Sequence, residues 1–306
     1  MKRANCRAAL LFVFGLACAQ TRSAPSLPTT CSGERALEHV RAQVALGPRP
    51  PGSEALEKCR RYIVQQLESF GYRVEDDAFE PTTPYGPKKM HNLIARRPDA
   101  SPTGPAVVLA SHYDTKYFPS GQFVGANDAG SSTGLLLELA RVLAGSKRPL
   151  EYWFVFLDGE EAFIEWSTFD STYGSRHLAR KWKQDGTAAR IRALVLLDMI
   201  GDRDLGLWKE AHSTPWLRDL VWATAGEIGL GSILSGVEQA VEDDHLPFLD
   251  AGIPCVDLID LSYGGPLNPH HHQPSDTLDK VSADSMEKVG RLVLAVLPKL
   301  ESRFAK

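Results

Sequence analysis

The sequence holds little that would commit it to nucleic acid or to a membrane. Its 34 Lys and Arg are interspersed among 38 Asp and Glu, and at a net charge of -4 no basic stripe is left for a phosphate backbone or an anionic bilayer. The apolar run Ala8 to Ala17 is too short to span a bilayer. Cysteine is scarce, with only Cys31, Cys59 and Cys255 beyond the N-terminal segment, so a thiolate-built zinc site is not on offer. Neither an internal repeat nor a low-complexity tract is present, which excludes a solenoid and points to one domain. What remains is a 306-residue chain, long enough to bury about three quarters of its unfolded surface.

The N-terminus reads as a targeting segment. Lys2, Arg3 and Arg7 precede the apolar run, and Ala17-Cys18-Ala19 has the small-x-small form of a processing site. The expectation is a signal peptide over 1–19, an exported protein (secreted or periplasmic), and Gln20 as the first mature residue. Leu16-Ala17-Cys18 is loosely like a lipoprotein signal, but Gly15 is a poor residue upstream, so soluble export is preferred over a lipid anchor on Cys18. Residues 20–32, rich in Ser, Thr and Pro, read as a linker, and 33–306 as the catalytic domain. In an oxidising compartment Cys31 and Cys59 could pair, whereas Cys255 lies in an apolar strand and reads as a buried thiol.

The most informative stretch is EYWFVFLDGEEAFIEW, residues 151–166. Tyr152 to Leu157 is uncharged, aromatic and β-branched, as a buried strand is, and it stops abruptly at Asp158, Gly159, Glu160 and Glu161. Open α/β sheets bind ligands at such strand ends. Two adjacent glutamates leave the backbone in different directions, so one can face a metal while the other acts as a base.

Around it the pattern alternates strand and helix. Glu34 to Leu46 and Ser53 to Phe70 have helical spacing, and Tyr72 to Phe79 with Met90 to Arg97 predict an antiparallel pair at a sheet edge. Ala106 to Ala110 runs into His112 and Asp114, and a helix through Leu143 opens after Asp128. Leu194 to Leu197 ends at Asp198; Asp243, Asp244 and His245 follow a helix, and His270, His271 and His272 follow the strand Pro254 to Ile259. Ala283 to Leu300 closes the chain as an amphipathic helix. These βα units make the protein α/β.

Taken singly, each polar residue has a plain structural reading: His112 a packed core histidine, Asp128 a helix cap, Asp198 an arginine partner, the three histidines a flexible tract, Trp166 a loop aromatic packed on the fold. Their coincidence at one edge is what favours a metal. Imidazole and carboxylate without thiolate are the ligands of an open, catalytic zinc.

The order His112-x-Asp114, Asp128, Glu160-Glu161, Asp198, His272 resembles the co-catalytic zinc aminopeptidases. The longer motifs HYDTKYF, DGEEAF with Trp166, DSTYGSRHLA, LLDMIG and EDDHLPFLDAGIP resemble, more narrowly, the animal-type glutaminyl-peptide cyclotransferases, from about residue 34 to the C-terminus. The resemblance implies a single zinc aminopeptidase-like α/β domain, whose central mixed, mostly parallel twisted sheet has helices on both faces. It implies one catalytic zinc on Asp128, Glu161 and His272, with water or the substrate's amide oxygen in the fourth position. Glu160 would be the proton shuttle and Asp198 with Asp243 an acid pair behind it. Trp166, His271 and Glu242 would contact substrate, and His112, Asp114 and Asp198 would bind a second metal or support the first. The reaction implied closes N-terminal glutamine of a peptide or protein (glutamate as a second candidate) to pyroglutamate with loss of ammonia, in a monomer.

Three departures from that pattern stand out. Asp257 replaces a histidine, His271 a second pocket tryptophan, and Ser111 half of a disulfide. Two rival readings remain: a dinuclear aminopeptidase using His112, Asp128, Glu161, Asp198 and His272, and a non-catalytic binding module, whose expected mark is eroded ligands that this sequence does not have. If processing falls after Ala19, Gln20 is itself a substrate-type terminus. Mass spectrometry of the exported protein is expected to show it short by one ammonia; an unmodified Gln20 terminus would rule out cyclisation of its own end.

Overall fold

The computed structural model describes residue 1 and residues 30–101, 103–119, 122–145 and 148–304. The expected signal peptide and most of the expected linker therefore lie outside the described residues. Two amphipathic helices come first, α1 (Gly33–Val44) and α2 (Glu54–Ser69). Each is started by a serine whose hydroxyl accepts a first-turn amide, Ser32 from Arg35 and Ser53 from Leu56. In chain order there follow β1 (Arg73–Phe79), the short β2 (Thr82–Thr83) and β3 (Gly86–Pro87), β4 (Met90–Arg96), β5 (Ala106–His112), α3 (Gly130–Leu143) and β6 (Glu151–Leu157). Then come α4 (Tyr173–Gln184), β7 (Ile191–Asp198), β8 (Leu207–Glu210), α5 (Pro215–Glu227), β9 (Leu234–Gln239), α6 (His245–Asp250), β10 (Cys255–Ile259) and α7 (Ala283–Phe304).

The main sheet has the order β1-β4-β6-β5-β7-β10. Its strands β6, β5, β7 and β10 are parallel, and β4 and β1 add an antiparallel edge. This is the mixed, mostly parallel sheet that the sequence predicts. Register aligns the carboxyl ends: His112 lies opposite Leu157, and Asp198 opposite Ile259. The turns after β5, β6, β7 and β10 consequently open at one edge, where a site can be assembled from distant segments.

Both faces of the sheet are covered, which is why its strands read as unbroken apolar runs. Leu109, Phe154, Phe156, Val195, Leu197 and Leu258 face the layer of α1, α2, α3, α5 and α7. The alternate residues Val108, Trp153, Val155, Leu194 and Leu196 face α4 and α6 through Leu178, Trp182 and Phe248. Among the described residues no helix is long and apolar enough to cross a membrane.

Several features differ from the sequence reading. Cys31 and Cys59 are both free and buried rather than paired. Cys31 lies against α7, where a Cβ on Gly290 would come within 2.4 Å of its sulfur, while Cys59 sits inside α2 with its thiol pushed by burial up to about 11. A second two-stranded sheet, β8 with β9, and the short α6 were not expected. Ser111, at the position of the missing half-cystine, donates to the His112 carbonyl and to Ser132 at 2.8 and 2.9 Å.

Arg49, in the breaker after α1, is fully buried and has no acid as a hydrogen-bond partner. Its guanidinium donates to the carbonyls of Gln43, Gly47, Val124 and Gly125 at 2.9–3.2 Å, tying the end of α1 to the loop that enters α3. Arg49→Met removes all four bonds, with the carbonyls of Gln43 and Gly125 keeping the amides of Leu46 and Gly130, and is expected to cost about 3–5 kcal/mol in urea unfolding. A loss below about 1 kcal/mol would show that the staple is dispensable.

Candidate metal centre and active site

Asp128 stands on the turn into α3 but does not cap it. The cap residue is Ala129, with no side-chain cap bond, so the carboxylate of Asp128 is left for other use. The turn is held by its backbone. The amides of Asn127 and Asp128 donate to the two oxygens of Asp276 at 2.8 and 3.2 Å, and the Tyr263 hydroxyl donates to the same group at 2.6 Å. Gly125, at φ +54°, is required here, since a Cβ would lie 2.0 Å from the Asp128 carbonyl oxygen. Asn127 closes the turn from the other side by accepting from Gly201 N and Ser131 Oγ, each at 2.8 Å.

Glu160 and Glu161 lie on the turn after β6. Asp114 positions both by accepting their amides at 3.2 and 3.3 Å, one on each of its oxygens. The two carboxylates then diverge. Glu161 Oε2 is 3.1 Å from His272 Nε2, and both of its oxygens are buried without a hydrogen-bond donor. Lys116 Nζ stands 3.7 Å away. Glu160 Oε2 instead faces His112 Nδ1 at 3.8 Å. Burial raises the Glu160 carboxyl well above the usual range; His112 opposes this, and the charges of Glu161, Asp243 and Asp244 reinforce it.

His272 comes from the loop after β10 at φ +51°, a left-handed backbone that costs a non-glycine residue about 1–2 kcal/mol. Its Nε2 lies 3.4 Å from Asp128 Oδ2 as well as 3.1 Å from Glu161. Donors at 2.0–2.1 Å from one tetrahedral ion sit ~3.3 Å from each other. Both distances at His272 match that spacing, and the orphaned oxygens of Glu161 are what a zinc cradle leaves unpaired until a cation arrives. His112 Nε2 lies between the other oxygen of Asp128, at 3.3 Å, and Asp198 Oδ1, at 3.2 Å, a second cluster of the same spacing. Burial alone would raise Asp128, but His112 and His272 hold its carboxyl well below the usual range.

Behind these residues the expected Asp198 and Asp243 are joined by a third buried acid. Asp198 bonds to His112, and the carboxyl group beside Asp243 is that of Asp257. Asp198 still reaches Asp243 through its charge, which together with burial raises the Asp243 carboxyl. Asp257, fully buried, is raised by burial and by Asp243, and lies 3.8 Å from His245 Nδ1. His245 Nε2 is 3.2 Å from Glu210, whose carboxyl, despite burial, His245 and three backbone amides hold at about 2.

At the rim, the indole of Trp166 donates to Glu242 Oε2 at 3.0 Å. The loop carrying Trp166 is gathered by Asp170, which accepts the amides of Phe163, Ile164 and Glu165 at 2.8–3.2 Å. His271 lies with its ring centroid 3.8 Å from that of His272. His112, Asp114, Asp128, Glu160, Glu161, Asp198, His271 and His272 are thus linked by these contacts, while Trp166 and Glu242 meet each other on the loops that continue from Glu161 and into Asp243. Asp276, Asn127, Asp170, Lys116 and Glu210 were not singled out from sequence; Asn127 stood beside Asp128, and Lys116 and Asp170 stood inside HYDTKYF and DSTYGSRHLA, while Asp276 and Glu210 stood outside any motif that marked them.

Comparison with known proteins gives the arrangement a family. Peptidase family M28 matches residues 92–297. A glutaminyl-peptide cyclotransferase of Drosophila melanogaster is 34% identical over 286 residues, 83% of this chain and 79% of its own. Among solved structures, the glutaminyl cyclase of an Acidobacteriales bacterium superposes with a TM-score of 0.84 at 41% identity, over 93% of this chain and all of that one. That of Porphyromonas gingivalis gives 0.78 at 32% identity, covering 88% of this chain and 98% of the other. On this sequence similarity, fold and set of converging side chains, the chain belongs to peptidase family M28 and, within it, to the glutaminyl-peptide cyclotransferases, enzymes of the acyltransferase class.

Proposed function

We propose that this protein converts N-terminal glutamine of peptides and proteins into pyroglutamate with release of ammonia, using one zinc ion held by Asp128, Glu161 and His272. The observation that carries the reading is the tetrahedral donor spacing at His272 Nε2 beside the orphaned carboxylate of Glu161. When bound, zinc supplies Lewis-acid polarisation of the substrate's side-chain carbonyl.

The remaining steps belong to the chain's own groups. The α-amine nitrogen of the substrate bonds to its side-chain amide carbon, and the carbon–nitrogen bond to the departing ammonia breaks. Glu160 takes the proton that the amine loses and returns it to the leaving nitrogen, so no proton is gained or lost overall. A carboxyl raised by burial and by Glu161, Asp243 and Asp244 has the proton affinity such a shuttle needs. Trp166, oriented by its bond to Glu242, offers a wall that keeps the short side chain curled toward its amine. Asp198 fixes His112, and Asp243 with Asp257 maintains negative charge behind Glu160. N-terminal glutamate is a second substrate under the same geometry. Export through residues 1–19, as a soluble monomer, belongs to the same proposal.

A dinuclear aminopeptidase is the second reading, favoured by one feature. The two oxygens of Asp128 face different clusters, Oδ1 toward His112 and Oδ2 toward His272, as a bridging carboxylate would. Two tightly held zincs and release of free N-terminal residues would select it.

Ammonia release from a glutamine-initiated dipeptide, abolished by chelator and restored by zinc, is the expected result. Glu160→Gln is expected to keep its zinc while losing about 10²–10⁴ in rate; a fully active, zinc-loaded variant would remove the shuttle role. Asp276→Asn can offer only one acceptor to two amides, and zinc affinity measured by chelator competition is expected to fall about 10–100-fold. Unchanged affinity would show that the Asp128 turn stands without it.

A further inference from the structure

The three successive histidines do three different things. His270 is tied into the fold, its Nδ1 2.9 Å from Ser275 Oγ and its ring edge-on to Tyr263. His272 is a member of the zinc cradle. The backbone amide of His271 donates to the Asn268 carbonyl at 3.3 Å, but among the described residues its imidazole makes no hydrogen bond, and yet a ring nitrogen lies within 4.8 Å of the ligand atoms of Asp128 and His272. Consecutive side chains of an extended segment point to opposite sides. Here the left-handed turn at His272 brings both rings to the same side, 3.8 Å apart and inclined by 33°.

Asp128, His271 and His272 bring ligand atoms within 4.8 Å of one another, and Glu161 Oε2 lies 3.1 Å from His272 Nε2, so the candidate donors are one aspartate, one glutamate and two imidazoles. That is a complete tetrahedral set for zinc, whereas the reaction requires an open place. We propose that His271 is a fourth protein donor to the metal, filling in the resting enzyme the coordination position that the substrate's side-chain carbonyl occupies during turnover. Substrate binding then exchanges one neutral donor for another, an imidazole nitrogen for an amide oxygen, and no proton or electron moves. The stacked neighbour, Asp128 and the unpaired ring are features of this chain's own residues; the inference rests on the zinc reading of Asp128, Glu161 and His272. It also fixes what replaces an aromatic wall at this position: a ring that keeps shape and adds a lone pair.

The test uses the purified enzyme loaded with zinc or with cobalt, and the variants His271→Phe, which keeps a flat ring beside His272, and His271→Trp. Zinc affinity by chelator competition is expected to fall by roughly tenfold or more in both, since even indirect partners of a metal site change affinity by that much. The visible spectrum of the cobalt enzyme is expected to change in both variants as a solvent oxygen replaces the imidazole nitrogen. Wild-type affinity and an unchanged cobalt spectrum in His271→Phe and His271→Trp would overturn the inference. His272→Phe separates it from the reading beneath: if that variant loses zinc while the His271 variants do not, only the fourth donor fails, and if it too holds zinc normally, the cradle itself is wrong.

Discussion

Too much negative charge is packed at one dry edge of this sheet for the fold to carry it unaided. Asp128, Glu160, Glu161, Asp198, Asp243, Asp244 and Asp257 are all buried there, and the bases that face them are His112, His245 and His272, with Lys116 at 3.7 Å from Glu161. Unpaired ionised carboxylates in such surroundings cost several kcal/mol each. Two devices relieve the excess. Proton affinity rises where burial and like charge act on a carboxyl group, at Glu160, Asp243 and Asp257. A divalent cation is invited where carboxylate and imidazole donors converge without donors of their own, at Asp128, Glu161 and His272. The same charge excess that makes the edge unstable on its own makes it a metal site beside a proton-carrying acid.

The placing of those groups is delegated to a second set of carboxylates. Asp114 gathers the amides of Glu160 and Glu161, Asp276 those of Asn127 and Asp128, Asp170 those of the loop before Trp166, and Glu210 that of His212 together with that of Val241, just ahead of Asp243. Each loop of the site is thus folded around an acid that is given no part in the chemistry. Arg49 does the corresponding work for carbonyls on the approach to Asp128. Rigid loops at strand ends follow, and with them a site whose atoms are held in place by backbone bonds.

How much of this could be seen in the chain beforehand depends on the range of the interaction. The strand ending at Glu160 and Glu161 was legible because an apolar run and its abrupt end are local facts, and the antiparallel edge was legible from the turn-rich residues between its strands. The supporting acids were not. Asp276 is 149 residues from the amide of Asn127 that it binds, and a bond from a side chain to backbone leaves no pattern in the partner's sequence. Helix α6 was hidden by its six-residue length and internal proline, β8 by its length of only four residues, and β9 by its largely exposed, polar run. The free Cys31 and Cys59 show the converse error, where compartment argued for a bond that packing against separate helices does not make. Asp257 was visible as a departure from the family pattern, but its partner, Asp243, became visible only when β10 was placed beside the turn that follows β9.

The most direct measurement is anomalous diffraction at the zinc edge from crystals of the zinc-loaded protein. A single peak about 2.0–2.1 Å from Asp128 Oδ2, Glu161 Oε2 and His272 Nε2 is the predicted result. A peak confined to the His112–Asp198 cluster or to Asp243, His245 and Asp257, with none at His272, would contradict the account.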